Sequence, residues 1–203
     1  QDMENQWRSF MKILLPVIFL FVGCASIQKE VNPINDINLK LPTSIKWKLV
    51  TDKSDQNASL KEWIPNETNL QSTEWIIVKQ SFRNRSSASS FLNSVLKAAK
   101  SKCADIILNS RKQLDLNEYE SYTARFVCSE QIGRDYGTVT DMRVISDNSK
   151  VFIITSERRL PPTEKAGLFR FSSPLEIVDF SKKNEESEDF IQNSIELCSS
   201  NCN

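Results

Sequence analysis

Histidine occurs nowhere in the 203 residues, and its absence removes whole classes of chemistry. Without imidazole there is no Ser-His-Asp or Cys-His nucleophile pair, no HExxH zinc site and no base poised near neutral pH. Glycine is scarce at four, which argues against phosphate-cradling loops and β-repeats with a glycine at every turn. Net charge is missing too. The 26 Lys and Arg balance 26 Asp and Glu, so no global field draws the chain to nucleic acid or to an acidic membrane. Carboxylate or lysine catalysis stays open on composition, yet no spacing points to it. The carboxylates of Asp179 to Asp189 lack EF-hand spacing, and neither a metal nor a non-covalent cofactor is expected.

What is present begins with Lys12, followed by the apolar run Ile13 to Val22 and then Gly23-Cys24. At about eleven residues with Gly23 included, the run suits the ~7–15 of an export-signal core and falls short of the ~20 that span a membrane. A buried strand or a helical anchor is the competing structural reading, but Ser26 to Pro33 turns polar at once and supplies no second half. Met11 is the expected start, with residues 1–10 upstream of it. Phe21-Val22-Gly23-Cys24 resembles the processing box of bacterial lipoproteins, with Phe21 where leucine is usual. That resemblance implies removal of residues 1–23 and a covalent lipid on Cys24, the new N-terminus. Ala25, the next residue after the cysteine, resembles the pattern of lipoproteins sent to the outer membrane, so the implied location is that membrane, facing the periplasm. A Sec-type leader with a secreted product is the nearest rival.

Lipidation of Cys24 leaves Cys103, Cys128, Cys198 and Cys202. An even number in an exported chain reads as disulfides with three possible pairings. Cys103–Cys128 with Cys198–Cys202 is favoured, because the first joins a helix end to a strand and the second closes a small loop in the tail. Zinc competes, but Cys198-x3-Cys202 has no matching pair and no histidine to help.

The mature chain of about 180 residues suits one domain. Residues 24–44 read as a lipidated tether, whose last twenty or so residues could extend ~65 Å. Residues 45–159 carry the domain. Strand signals run over Ile45–Thr51, Leu60–Pro65 and Glu74–Phe82, then over Ala104–Leu108, Tyr122–Cys128, Thr138–Ile145 and Val151–Thr155. Between the two sets, Ser86–Lys102 places Ala88, Phe91, Leu92, Val95, Leu96 and Ala99 on one helical side behind serine cap candidates. The expectation is an α+β fold: an antiparallel sheet of about six or seven strands with one main helix on one face. Residues 160–203 read as a partly disordered arm, with a short amphipathic helix near Glu186–Leu197 as an option.

Two constellations stand out. Lys79, Arg83, Arg85, Lys97, Lys100, Lys102, Arg111 and Lys112 outnumber Asp105 locally, which reads either as an electropositive face for an acidic partner or as the solvated side of a helix. Trp63 and Trp75 flank the Pro65 turn, as core packing or as partner anchors. The order Pro65, Glu67, Trp75, the helix, Cys103 and then Cys128 resembles accessory lipoproteins of the Dot/Icm type IVB secretion outer-membrane complex. That resemblance implies a scaffold in a large hetero-oligomer, present in multiple copies and docking to other secretion-complex subunits. Trp63, Pro65, Trp75, Arg83, Arg85, Lys97 and Lys100 are the partner-binding candidates, and no enzymatic activity is expected. The alternative is a stand-alone periplasmic ligand-binding lipoprotein or a carboxylate- or lysine-based envelope enzyme.

Overall fold

The computed structural model describes residues 33–116, 118–147 and 149–198. Its elements are β1 (Asp36–Leu39), β2 (Trp47–Ser54), β3 (Ala58–Pro65), β4 (Trp75–Arg83), α1 (Ala88–Lys100), β5 (Ile106–Leu116), β6 (Tyr119–Cys128), β7 (Gly137–Ser146), β8 (Lys150–Leu160), α2 (Pro174–Asn193) and β9 (Ile195–Cys198). The fold is α+β. Seven antiparallel strands lie in the order β2-β3-β4-β8-β7-β6-β5, and β1 pairs separately with β9. The chain builds one half as a meander, crosses over through α1 to the far edge, and returns strand by strand until β8 closes against β4.

Sequence chemistry explains how α1 seats itself. Ser87 caps it by accepting from the Ser90 backbone N–H. The first turn has no acid of its own, and Glu120 of β6 supplies one by accepting from the N–H groups of Ala88 and Ser89 at 2.9 and 3.2 Å. Lys97 and Lys100 occupy the last turn, where the carbonyl end of the helix dipole favours a cation. The buried stripe of Ala88 and Leu92 meets Phe126, Met142, Val144, Val151 and Ile153 of the sheet.

Every residue of β7 is buried, because the opposite face is covered as well. The expected helix on one face is α1, and α2 covers the second face, with β1 and β9 beside it. Ile34, Ile37, Phe190, Ile191 and Ile195 pack there on Ile77, Ile145, Phe152 and Ile154. The tether of residues 24–44 and the arm of residues 160–203 were expected outside the domain, and in their described parts they belong to it. Ile34 and Ile37 are each 1% exposed, and Trp47 Nε1 donates to the Pro42 carbonyl at 2.8 Å. The helix expected near Glu186–Leu197 is instead the twenty residues of α2, ending at Asn193 before β9. Among the described residues no helix is long and apolar enough to cross a membrane.

Candidate functional site

Between its two apolar ends, the face under α2 is polar. Asp141 of β7, 4% exposed, takes Arg125 of β6 at two points, Nε to Oδ1 at 2.6 Å and Nη2 to Oδ2 at 2.9 Å. Burial works against the Arg125 charge, but Asp141 and then Glu188 outweigh it and hold that pKa above its ordinary value. Ser187 of α2 donates to Asp141 at 2.5 Å and bonds Ser156 at 2.8 Å, and Trp75 Nε1 donates to the same Ser156 hydroxyl at 2.8 Å. Arg143 donates to the carbonyls of Ile191 and Gln192 at 3.5 and 3.0 Å. Since the last turn of α2 carries no basic residue, a strand arginine completes that helix end. Burial lowers the Arg143 pKa.

Beyond this belt, at the start of α2, a cleft of about 670 Å³ opens between the β3–β4 connection, the end of β8 and the segment leading into α2. Pro65, Trp75, Pro161 and Pro162 line it together with Phe169, Phe171 and Phe180. The three phenylalanine rings pack on one another at tilts of 45° to 57°, with centroids 4.8 to 6.3 Å apart. Ser173 caps α2, and Glu176 is held by the Ser172 N–H at 2.7 Å and hydroxyl at 2.5 Å, which lowers its pKa. The first turn of α2 at the cleft mouth is thereby fixed.

Arg158 lies in the wall of this cleft and is 3% exposed. Its guanidinium sits 4.6 Å over the Phe180 ring, donates through Nη1 to the Phe180 carbonyl at 3.3 Å and through Nη2 to the Asn184 amide oxygen. Nε has no partner among the described residues. Burial pushes its pKa down to about 10, opposed by the more distant Asp141 and reinforced by the like charge of Arg125. Its hydrogen-bond acceptors are both neutral, and Asp141, Asp179 and Glu74 offset its charge only through space; buried charges are normally paired directly.

The expected partner-binding residues do not converge on one site. Pro65 and Trp75 line the cleft. Trp63 is half-buried against the core under α2, and Trp75 packs edge-on to Trp47 at 5.3 Å. Arg83, Arg85, Lys97 and Lys100 are exposed around α1. Lys79, from the same basic run, points to the other face, where it meets Asp36 Oδ1 at 2.9 Å and the Ile37 carbonyl at 2.7 Å. Arg125, Asp141, Arg143 and Arg158 are not among the residues the sequence points to, although charges inside the apolar strands β6, β7 and β8 are the available signal. Cys103 and Cys128 are joined, with Cα atoms 5.5 Å apart, which removes both from any zinc site. Cys198 is disulfide-bonded, while its expected partner Cys202 and the lipidation residue Cys24 lie outside the described residues. No group of three or more potential metal ligands occurs among the described residues.

No family model matches the chain, and no curated protein does. Among solved structures, LpqN of Mycobacterium tuberculosis, involved in cell envelope biogenesis, is similar over 79% of this chain and 82% of its own, at 11% identity and a TM-score of 0.46. PA94 of Pseudomonas aeruginosa, a protein of unknown function, is similar over 67% and 91% at 13% identity and 0.35. A STAR-related lipid transfer protein of Xanthomonas axonopodis gives 72% and 96% at 10% identity and 0.26. Likeness at this level carries no statement about ligand or partner.

Proposed function

We propose that the chain is a lipid-anchored protein of the bacterial envelope, fixed to the outer membrane through Cys24 and working by binding rather than by covalent catalysis. The observation that carries this reading is the Lys12-to-Cys24 leader placed directly before a folded body. With Ile34 already buried, about ten residues separate it from Cys24, a leash of at most ~35 Å. The body therefore stays near the bilayer instead of standing off on a long tether. The Cys103–Cys128 bond fits an oxidising compartment.

Within that reading, the finer role is a scaffold subunit of a type IV secretion complex, docking to neighbouring subunits in the periplasm. Affinity purification of the tagged full chain from detergent-solubilised envelopes tests it. Co-purification of secretion-complex subunits in fixed ratio is the expected result; recovery of the chain alone would contradict the scaffold. A second reading, a stand-alone ligand-binding lipoprotein, is favoured by one observation, the cleft with Arg158 in its wall.

A further inference from the structure

We propose that the cleft at the start of α2 binds an amphiphilic anion, a single carboxylate or phosphate head on an apolar tail. The inference deepens the ligand-binding reading and rests on it, but it does not require the lipid on Cys24.

Three features of the cleft define the ligand. Its volume of about 670 Å³ lies within the ~300–1,000 Å³ of small-molecule sites, so a tail of ten or so carbons fits without rearranging the sheet. Phe169, Phe171 and Phe180 pack on one another and line the cleft together with Pro161 and Pro162, and apolar surface of this kind is stabilised when a tail displaces water from it. Arg158 supplies the reason for an anionic head. No carboxylate lies within ion-pair distance of it among the described residues, its Nε is unpartnered, and it is 3% exposed.

Asp141, Asp179 and Glu74 act on Arg158 only through space, without an ion pair. Of the acids lining the cleft, Asp179 pairs with Lys183 at 2.8 Å and Glu176 is held by Ser172. A ligand anion would supply the missing counter-charge, in a setting where a charge-assisted hydrogen bond is about twice as strong as a neutral one. A neutral amphiphile fills the aromatic wall and leaves Arg158 as it is.

The test uses the full chain in isolated envelopes and a dodecyl phosphate carrying a diazirine near the end of its tail, applied below its micellar concentration, with labelled peptides mapped by mass. Labelling is expected within residues 160–183, with dodecyl phosphate and laurate competing about tenfold better than dodecanol. Arg158→Met should weaken labelling by about tenfold. Because Arg158 also holds Phe180 and Asn184, that variant can lose its fold, so Phe171→Asp, at a half-exposed position on the wall, is the second variant and should abolish labelling.

A diazirine-bearing phosphatidylglycerol in the same envelopes separates the sources. Labelling of the same peptides assigns a membrane phospholipid, and labelling by the monomer alone assigns a free acid or phosphate ester. Absence of label in residues 160–183, as expected if the cleft takes a partner peptide instead, would overturn the proposal. Equal competition by dodecanol, or undiminished labelling of Phe171→Asp, would also overturn it. The N-terminal peptide in the same digest reports lipidation separately, so failure of the anchor is not confused with failure of the cleft.

Discussion

The backbone N–H of Ile34 donates to Oδ2 of Asp147 at 2.7 Å, joining residues 113 positions apart. The other oxygen of Asp147 accepts from the N–H of Ser149, the hydroxyl of Ser149 and the N–H of Lys150 at 2.7 to 2.9 Å. One carboxylate thus shapes the β7–β8 turn and ties the segment just ahead of β1 to it. Burial raises its pKa, but the hydrogen bonds from Lys150, Ser149 and Ile34 outweigh that effect and leave the pKa below its ordinary value.

Asp147→Ala should therefore destabilise the protein by about 2–3 kcal/mol at neutral pH, the scale of several lost charge-assisted hydrogen bonds. Because the folded pKa is depressed, the contribution is fully present above the unfolded value of about 3.9 and is lost as pH falls through the folded value. Urea unfolding of both proteins at pH 7 and near pH 3 should show the difference shrinking in acid. A constant difference would contradict the assignment.

The Arg125–Asp141 pair under α2 gives a second test. Asp141→Ala leaves Arg125 without its main counter-charge and strips Ser187 of an acceptor, at an expected cost of about 3 kcal/mol or more. Replacing both partners by leucine should recover much of that loss, since a buried ion pair stabilises little over an apolar pair of similar volume. A double-mutant cycle measured by urea unfolding decides; additive losses would show the two side chains to be uncoupled.

The Cys103–Cys128 bond closes a span of 25 residues, and Cys103→Ser with Cys128→Ser should cost about 3 kcal/mol by the loop-entropy argument. Non-reducing gels should show faster migration than reduced ones. Unchanged mobility, with thiols titrating at both positions, would rule the bond out.

Gly137 marks a close backbone approach. A Cβ there would lie 2.4 Å from the Ser129 carbonyl oxygen and 2.7 Å from that of Cys128, and neither backbone atom can rotate away. Gly137→Ala should lower stability by about 1–3 kcal/mol, read as a lower thermal midpoint. An unchanged midpoint would mean that the two strands separate freely.

The seven-stranded sheet and α1 were legible in the sequence, because local alternation and a clean apolar stripe specify both. What escaped is non-local or polar. β1 is four residues long and finds its partner β9 only from the far end of the chain, so residues 36–39 looked like tether. α2 sets Phe180, Asn184, Ser187 and Ile191 on the sheet side, and the polar members of that stripe match Arg158, Arg125 and Asp141 below. A search for an apolar stripe finds little there, and the surrounding Lys and Glu residues resemble a solvated tail. The cleft was invisible for a similar reason: Trp75, Arg158 and Phe171 approach one another only after β8 has paired with β4 and α2 has folded back.

Cys24 is the residue on which the proposed anchoring turns, and the direct measurement is the intact mass of the N-terminal peptide of the chain recovered from bacterial envelopes. A peptide beginning at Cys24 and heavier by a diacylglyceryl group is the predicted result, lost in Cys24→Ser. A peptide that retains residues 13–23 without lipid, from chain found outside the membrane fraction, would contradict it.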